Sequence, residues 1–407
     1  MSRAMRDSGI PWIGVMPENW KTEKFKHVFR IKKILAGKLG YDVLSVTQKG
    51  LKVKNIENNE GQIANDYSNY QLVFPNDFVM NHMDLLTGYV DVSKQEGVTS
   101  PDYRTFYAID TDNTYNQYYL HIFQFCYKTR LFYNLGQGVS QLGRWRLPAE
   151  QQNEFILPVP PISEQHRISD FLNKKCGEID EAIALQEEFI EELKSYKQSV
   201  ITEAVTRGLN PNVKFKDSGI DWIGQIPQGW EVRAIKTLAI LKSGSNITTN
   251  EIADDGEGYP VYGGNGLRGY YSEYSNDGDF ALIGRQGALC GNVNYGYGRF
   301  WATDHCVVCY PREEYVLKWF GETLRAMNLN QYSLSSAQPG LSVERIKDKF
   351  MPVPPLSEQQ QIADYLDNKC TEIDSLIAIK QQKIEELKDY KKSVIYEYVT
   401  GKKEINV

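Results

Sequence analysis

The sequence predicts an α+β chain in which two mixed α/β blocks are separated by a long antiparallel two-helix coiled coil, with an internal pseudo-two-fold repeat. Three observations predict it. A short tryptophan-bearing motif occurs twice, a proline-led helical segment occurs twice, and the stretches between them are unlike.

The first repeat is Asp7-Ser8-Gly9-Ile10-Pro11-Trp12-Ile13-Gly14, which returns as Asp217-Ser218-Gly219-Ile220-Asp221-Trp222-Ile223-Gly224. Each copy runs on to a proline and a tryptophan, Pro17 and Trp20 in one and Pro227 and Trp230 in the other. The second repeat is Pro158-Val159-Pro160-Pro161-Ile162-Ser163-Glu164-Gln165, matched by Pro352-Val353-Pro354-Pro355-Leu356-Ser357-Glu358-Gln359. From 157 to 206 and from 351 to 400, about 30 of 50 aligned positions are identical. The expected organisation is a first block over 1–155 with its tryptophan motif at 7–20, and a helix over 156–207. A second block over 208–350 has its motif at 217–230, and a second helix follows over 351–407. No third tryptophan motif follows the second helix, so residues 7–20 are expected to dock beside its end and close a circular repeat.

Paired prolines disfavour helix before them and punctuate its start. Ser163 and Ser357 are the N-cap candidates, with Glu164 and Glu358 in the first turn; Ser357 with Gln360 also fits a capping box. Downstream, Leu172, Cys176, Ile179, Ile183, Ile190, Leu193, Val200 and Ala204 keep a 4-3-4-3 spacing, with Gln186 and Lys197 at the two polar seam positions. Leu366, Cys370, Ile373, Ile377, Ile384, Leu387, Val394 and Tyr398 repeat the register, with Lys380 and Lys391 as the polar members. That spacing is a heptad seam. A helix of about 45 residues spans roughly 65 Å, and like seams related by a two-fold pair antiparallel. The blocks are thereby expected at opposite ends of a rod, a distance of about two turns of B-DNA.

Both blocks read as β-rich with one late helix. In the first, strand candidates include 41–46 and 78–80, and the helix candidate is 118–128. In the second, Asn265-Gly266 signals a hairpin. The helix candidate there is 313–327, packing through Tyr315, Trp319, Phe320 and Leu324.

Composition narrows the function. The net charge is −6, yet the helical segments 163–207 and 357–400 carry about −4 and −3 of it, so the remainder is near neutral. No apolar run approaches the ~18 residues that cross a bilayer, and residues 1–7 lack a signal-type apolar core. Six scattered cysteines suit a reducing, cytoplasmic setting. Gly264-x-Gly266-x-x-Gly269 matches a dinucleotide fingerprint as a string, but Tyr270-Tyr271-Ser272 reads as strand where a helix is needed. His305-Cys306-x-x-Cys309 lies in an apolar strand-like run with no second ligand pair, which favours buried thiols over a metal. Walker A, H-E-x-x-H, G-x-S-x-G and the Asn-Pro-Pro-aromatic string of adenine methyltransferases are all absent.

The blocks instead place Arg, Gln, Asn and Ser on expected loops. Arg pairs bidentately with guanine, and Asn or Gln with adenine. The candidates for DNA contact are Thr47, Gln48, Lys49, Gln137, Gln141, Arg144 and Arg146 in the first block. In the second they are Asn265, Arg268, Arg285, Gln286, Ser335, Ser336 and Gln338.

Taken together, the proline-led motif running on through Ile179-Asp180 and Ile373-Asp374, the paired tryptophan motif, and the run Tyr262-Gly263-Gly264-Asn265-Gly266, Ile283-Gly284-Arg285-x-Gly287 and Pro339-Gly340-Leu341-Ser342 resemble the specificity (S) subunit of type I restriction–modification enzymes over essentially the whole chain. Block one departs, with Arg144-Trp145-Arg146-Leu147 near the equivalent place and no Gly-Gly-Asn-Gly. The resemblance implies two target-recognition domains, each reading one half of a bipartite asymmetric site on double-stranded DNA, and helices that set the gap. It implies a non-catalytic chain that docks two methylation subunits and restriction (motor) subunits, with no membrane partner. S-adenosylmethionine, ATP and magnesium are then expected in those partners, which perform adenine-N6 methylation and cleavage. The alternatives are a coiled-coil scaffold without a DNA role and a stand-alone nuclease or methyltransferase.

Overall fold

The computed structural model describes residues 3–55, 67–138, 145–254, 256–287, 289–333 and 340–405. The chain forms two compact units. Unit 1 comprises residues 1–186 and 382–407, and unit 2 comprises 187–381. Each long helix contributes to both.

The first long helix runs over Ile162–Arg207 and the second over Leu356–Val399. In unit 1 the opening half of the first helix lies beside the closing turns of the second, and Leu172, Cys176 and Val394 share one buried core. In unit 2 the closing turns of the first helix lie beside the opening half of the second, with Val200, Ala204, Leu366 and Cys370 buried together. The pairing is therefore antiparallel. Every apolar seam position named from the spacing is buried or half-buried, so the heptad reading holds throughout.

The helix starts differ from expectation. Both helices begin one residue before the serines, so Ser163 and Ser357 lie inside the first turn and not at the N-cap position. The Pro161 carbonyl accepts from the amides of Glu164 and Gln165 at 2.8 and 3.1 Å, and Pro355 does the same for Glu358 and Gln359 at 2.9 and 3.0 Å. A proline at this point is tolerated because its missing N–H has no intrahelical partner to lose.

The Glu and Gln repeated in both copies of the motif each hold a defined partner. The indole Nε1 of Trp20 donates to Glu164 at 2.9 Å, and that of Trp230 to Glu358 at 2.8 Å. Gln165 is fully buried; its Oε1 accepts from the Tyr115 amide at 2.8 Å and its Nε2 donates to the Pro160 carbonyl at 2.9 Å. Gln359 repeats this with Val316 and Pro354 at 2.9 and 3.0 Å. One side chain thus ties the helix start to the segment entering each block's late helix. This explains a difference from the sequence reading: the second block's helix covers Leu317–Ala326 and starts after Val316, whose amide is already taken. Its counterpart covers Asn116–Lys128.

The tryptophan motif is a short hairpin, Met5–Asp7 against Val15–Pro17 and Phe215–Asp217 against Gln225–Pro227. Asp7 and Asp217 accept from the amides of Gly9 and Gly219 at 3.0 and 2.9 Å, and both glycines are left-handed, which only glycine adopts freely. As expected, the first copy docks on the end of the second helix. Lys402 Nζ donates to the carbonyls of Ile13 and Val15 at 2.5 and 2.9 Å, and Ile13, Met16 and Trp20 share a core with Val399.

The two blocks, unlike in sequence, have one topology. In unit 1 an antiparallel sheet is ordered Phe29–Lys32, Arg104–Ala108, Phe78–Met80, Val90–Val92. In unit 2 the matching order is Ala239–Ser243, Cys306–Pro311, Phe280–Gly284, Val293–Gly296. The second sheet is mixed: Gly50–Val53, Val43–Thr47, Gly97–Thr99, Gln71–Val73 in unit 1 and Gly266–Tyr271, Tyr259–Gly263, Arg299–Ala302, Asn276–Asp277 in unit 2. In both, the middle two strands are parallel and the outer pairings antiparallel. Aromatic packing fills unit 1, where Phe78 and Phe106 stack at 4.8 Å and Phe29 and Phe123 close edge-on. Among the described residues, no helix is long and apolar enough to cross a membrane.

Candidate nucleic-acid interface

The shared topology puts the same three segments together in each unit. The first is a hairpin tip. In unit 1 Thr47 pairs with Gly50, leaving Gln48 and Lys49 exposed at the turn. In unit 2 Gly263 pairs with Gly266, leaving Gly264 and Asn265. The closing glycines have φ of +102° and +98°, a left-handed backbone a Cβ would strain.

The second segment is the loop leaving the central strand, residues 81–88 in unit 1 and 284–291 in unit 2. Its ends are closed alike: the Asn81 amide donates to the Tyr89 carbonyl at 2.9 Å, and the Gly284 amide to that of Asn292 at 2.8 Å. The third is a returning arm. The Leu147 amide donates to His82 O at 2.9 Å and the Leu341 amide to Arg285 O at 2.8 Å. Arg146-Leu147 is therefore the structural counterpart of Gly340-Leu341, and His82 that of Arg285.

These segments touch. Gln48 Nε2 donates to Thr87 O at 3.4 Å, and Asn292 Nδ2 to Asn265 Oδ1 at 3.3 Å. A Cβ on Gly284 would lie 2.0 Å from the Gly264 carbonyl oxygen, so the two backbones meet where no side chain fits. Asp91 and Asn294, at matching positions of the neighbouring strand, stand beneath the closing glycines. Asp91 Oδ2 accepts from the Leu51 amide at 2.7 Å, and Asn294 Oδ1 is 3.2 Å from where a Gly266 Cβ would be.

Of the sequence-derived candidates, Gln48, Lys49, Gln137, Arg146, Asn265, Arg268 and Gln286 are exposed, while Thr47 and Arg285 are half-buried. Thr47 Oγ1 donates to the Gly50 carbonyl at 2.8 Å and so shapes the tip. Gln137 and Arg146 exchange backbone hydrogen bonds at 2.8 and 3.0 Å. Arg268 falls at the register shift opposite Val261 and Tyr262, where a bulge re-aims a side chain. Gln141, Arg144, Ser335, Ser336 and Gln338 lie outside the described residues.

The charge pattern separates this region from the helices. On the helices, lysines such as Lys194, Lys369, Lys388 and Lys392 pair with carboxylates three residues away. Lys49, Arg146, Arg268 and Arg285 form no ion pair among the described residues. Arg285 donates instead to Ser243 Oγ at 3.1 Å. Cations without a carboxylate partner are the groups that release counterions from phosphate.

Two residues of this region escaped the sequence reading. His82 stands at the base of the loop; burial first, then the charges of Arg104 and Arg146, pull its pKa from 6.5 to about 4, so it is neutral near pH 7. Arg104 is itself buried and braces the arm, donating to Gln152 Oε1 at 2.5 Å and to the Leu147 carbonyl at 3.1 Å. The available signal was positional: Leu147 and Leu341 follow comparable short segments, and the residues they bond to could be matched only through the strand order.

A family model described as the type I restriction modification DNA specificity domain matches residues 17–195 and 227–389. The chain is 42% identical over 146 residues to the specificity subunit of the type I restriction enzyme EcoprrI of Escherichia coli, covering 35% of this chain and 36% of that one. It is 23% identical over 274 residues to the specificity subunit of the type I restriction enzyme MjaVIII of Methanocaldococcus jannaschii, covering 60% of this chain and 61% of that one. These matches thus span about a third and under two thirds of the relatives' lengths. A solved chain described under the structural basis of complex assembly and conformational transition of the type I R-M system superposes with a TM-score of 0.72 at 14% identity, covering 94% of this chain and 98% of that one, a likeness of fold. The repeated frame, the twin blocks and the two-part match of the family model agree: this chain belongs to the type I restriction modification DNA specificity family.

Proposed function

We propose that the chain is the DNA sequence-recognition subunit of a type I restriction–modification complex. Each unit reads one half of a bipartite, asymmetric site, and the paired helices set the gap between halves. One observation carries this reading: two blocks with the same strand order present chemically different tips, Gln48-Lys49 in one and Gly264-Asn265 in the other. A constant scaffold with variable donors and acceptors at its tip is what base-edge readout requires.

The chain itself is proposed to be non-catalytic. Adenine-N6 methylation with S-adenosylmethionine belongs to two methylation subunits, and ATP- and magnesium-dependent cleavage to restriction subunits. Docking of such partners on the long helices is supported by large apolar residues left exposed there, among them Leu185, Phe189, Tyr196, Leu376, Ile379 and Tyr390.

A gel-shift titration with the full chain and a random duplex pool tests the reading. A selected, two-part sequence bound with a steep salt dependence is expected, and Arg268→Ala should lower affinity and reduce the salt slope by about one ion. Binding without sequence preference at any salt concentration contradicts it.

A further inference from the structure

The loops 81–88 and 284–291 contain equal numbers of residues, leave the same strand and are closed by the same backbone hydrogen bonds. They share almost no sequence. Both nonetheless expose a leucine at the same place, Leu86 at 38% and Leu289 at 52%. Among the described residues, backbone amide hydrogen bonds tie the chain beside each leucine. Asp84 Oδ1 accepts from the amides of Leu86 and Thr87, both at 3.0 Å, and Thr87 Oγ1 donates to the same carboxylate. In unit 2 the Asn292 amide donates to the Leu289 carbonyl and the Cys290 amide to Gly287 O, both at 3.0 Å. The hairpin tips lie against these loops, through Gln48 on Thr87 in unit 1 and through Gly264 on Gly284 in unit 2.

A lone exposed leucine is ordinary. A pair at matching positions, in blocks whose neighbouring tip residues differ, is not explained by that. Residues that differ between the blocks suit reading two different half-sites; a residue the blocks share suits something done identically at both. An apolar side chain on a hydrogen-bonded turn, beside cations without a carboxylate partner, can insert between stacked bases, unstack one step and kink the duplex. We infer that Leu86 and Leu289 are DNA wedges, each inserting at a base step of its own half-site. The inference rests on the proposed DNA-reading function.

The test uses the full chain bound to a duplex carrying the sequence it selects from a random pool, with 2-aminopurine substituted in turn at adenine positions of each half. Unstacking should raise its emission at one step per half. Leu86→Ala should abolish the rise in one half and leave the other, and Leu289→Ala should do the reverse. Leu86→Phe, which keeps an apolar wedge, should retain it. Both leucines are exposed, so thermal unfolding should be unchanged and reports any folding defect. A chain that selects no sequence overturns the reading function, and the wedge with it. A chain that selects a sequence but shows no rise, or the same rise in both alanine variants, overturns the wedge alone.

Discussion

Lys391 on the second long helix places its ammonium 2.6 and 2.5 Å from the two carboxylate oxygens of Asp180 on the first. Unit 2 holds the exchanged pair, Lys197 with Asp374 at 2.7 and 2.6 Å. Each unit takes its lysine from one copy of the repeat and its aspartate from the other, as an isologous contact does. Each lysine occupies one of the two polar positions of its largely apolar seam, so it fixes register more than it adds strength.

That reading predicts an asymmetric response to charge. Lys391 is largely covered but Asp180 is 61% exposed, so the pair is worth only about 0.5–1 kcal/mol. Lys391→Asp should destabilise unit 1 by about 1–2 kcal/mol through like-charge apposition. The exchange Asp180→Lys with Lys391→Asp should recover most of it in a double-mutant cycle by denaturant unfolding. Equal losses in single and double variants would remove the register role.

Gln165 and Gln359 are each expected to be costly to truncate. Gln165→Ala leaves the Tyr115 amide and the Pro160 carbonyl without their partner, a penalty of about 2–3 kcal/mol. Gln359→Ala should cost a similar amount in unit 2. Gln165→Glu keeps the acceptor but loses the donor and buries a charge, so it should not rescue. Unfolding midpoints that match the parent chain would show these bonds to be incidental.

The helix ends make a finer comparison. Gly208 and Gly401 are left-handed, at +72° and +73°, so alanine strains either by about 1 kcal/mol. Space distinguishes them. A Cβ on Gly401 would lie 2.5 Å from Pro17 Cδ, whereas on Gly208 it would meet Trp230 at 3.0 Å. Gly401→Ala should therefore destabilise by about 2–4 kcal/mol and Gly208→Ala by about 1–2 kcal/mol. The reverse order in thermal unfolding would contradict this packing.

His82 gives unit 1 a pH dependence. Its pKa is about 4 when folded, below its ordinary 6.5, because burial and two arginines disfavour its charged form. Between these values the unfolded chain binds more protons, so stability falls as pH drops from 6.5 towards 4, by the order of 2 kcal/mol. His82→Asn should remove part of that slope. An unchanged slope would mean that His82 titrates normally.

Much of the frame was legible in the sequence because its physics is local. The heptad seam from Leu172 to Ala204 follows from spacing alone, and the left-handed turn at Gly9 from Asp7-Ser8-Gly9. The helix start was misplaced by two residues because Gln165, not Ser163, satisfies the adjoining backbone, through partners distant in sequence. The common topology of the blocks was not legible. Their strands are only two to six residues long and several are buried on both faces, so no period-two pattern survives. What the blocks share is register, and register equates unlike residues: Asp91 with Asn294, His82 with Arg285. For the same reason the tip residues Thr47, Gln48 and Lys49 were found from their chemistry, whereas the loop carrying His82 and Leu86 was not.

The central claim is that each block reads its half of the site independently on a common frame. Replacing residues 231–350 with the corresponding block of a relative, expressing the hybrid with its partner subunits and mapping methylated adenines across the genome tests it most directly. The account predicts a new sequence in one half, with the other half and the gap unchanged. A change in both halves, or no change in either, would contradict it.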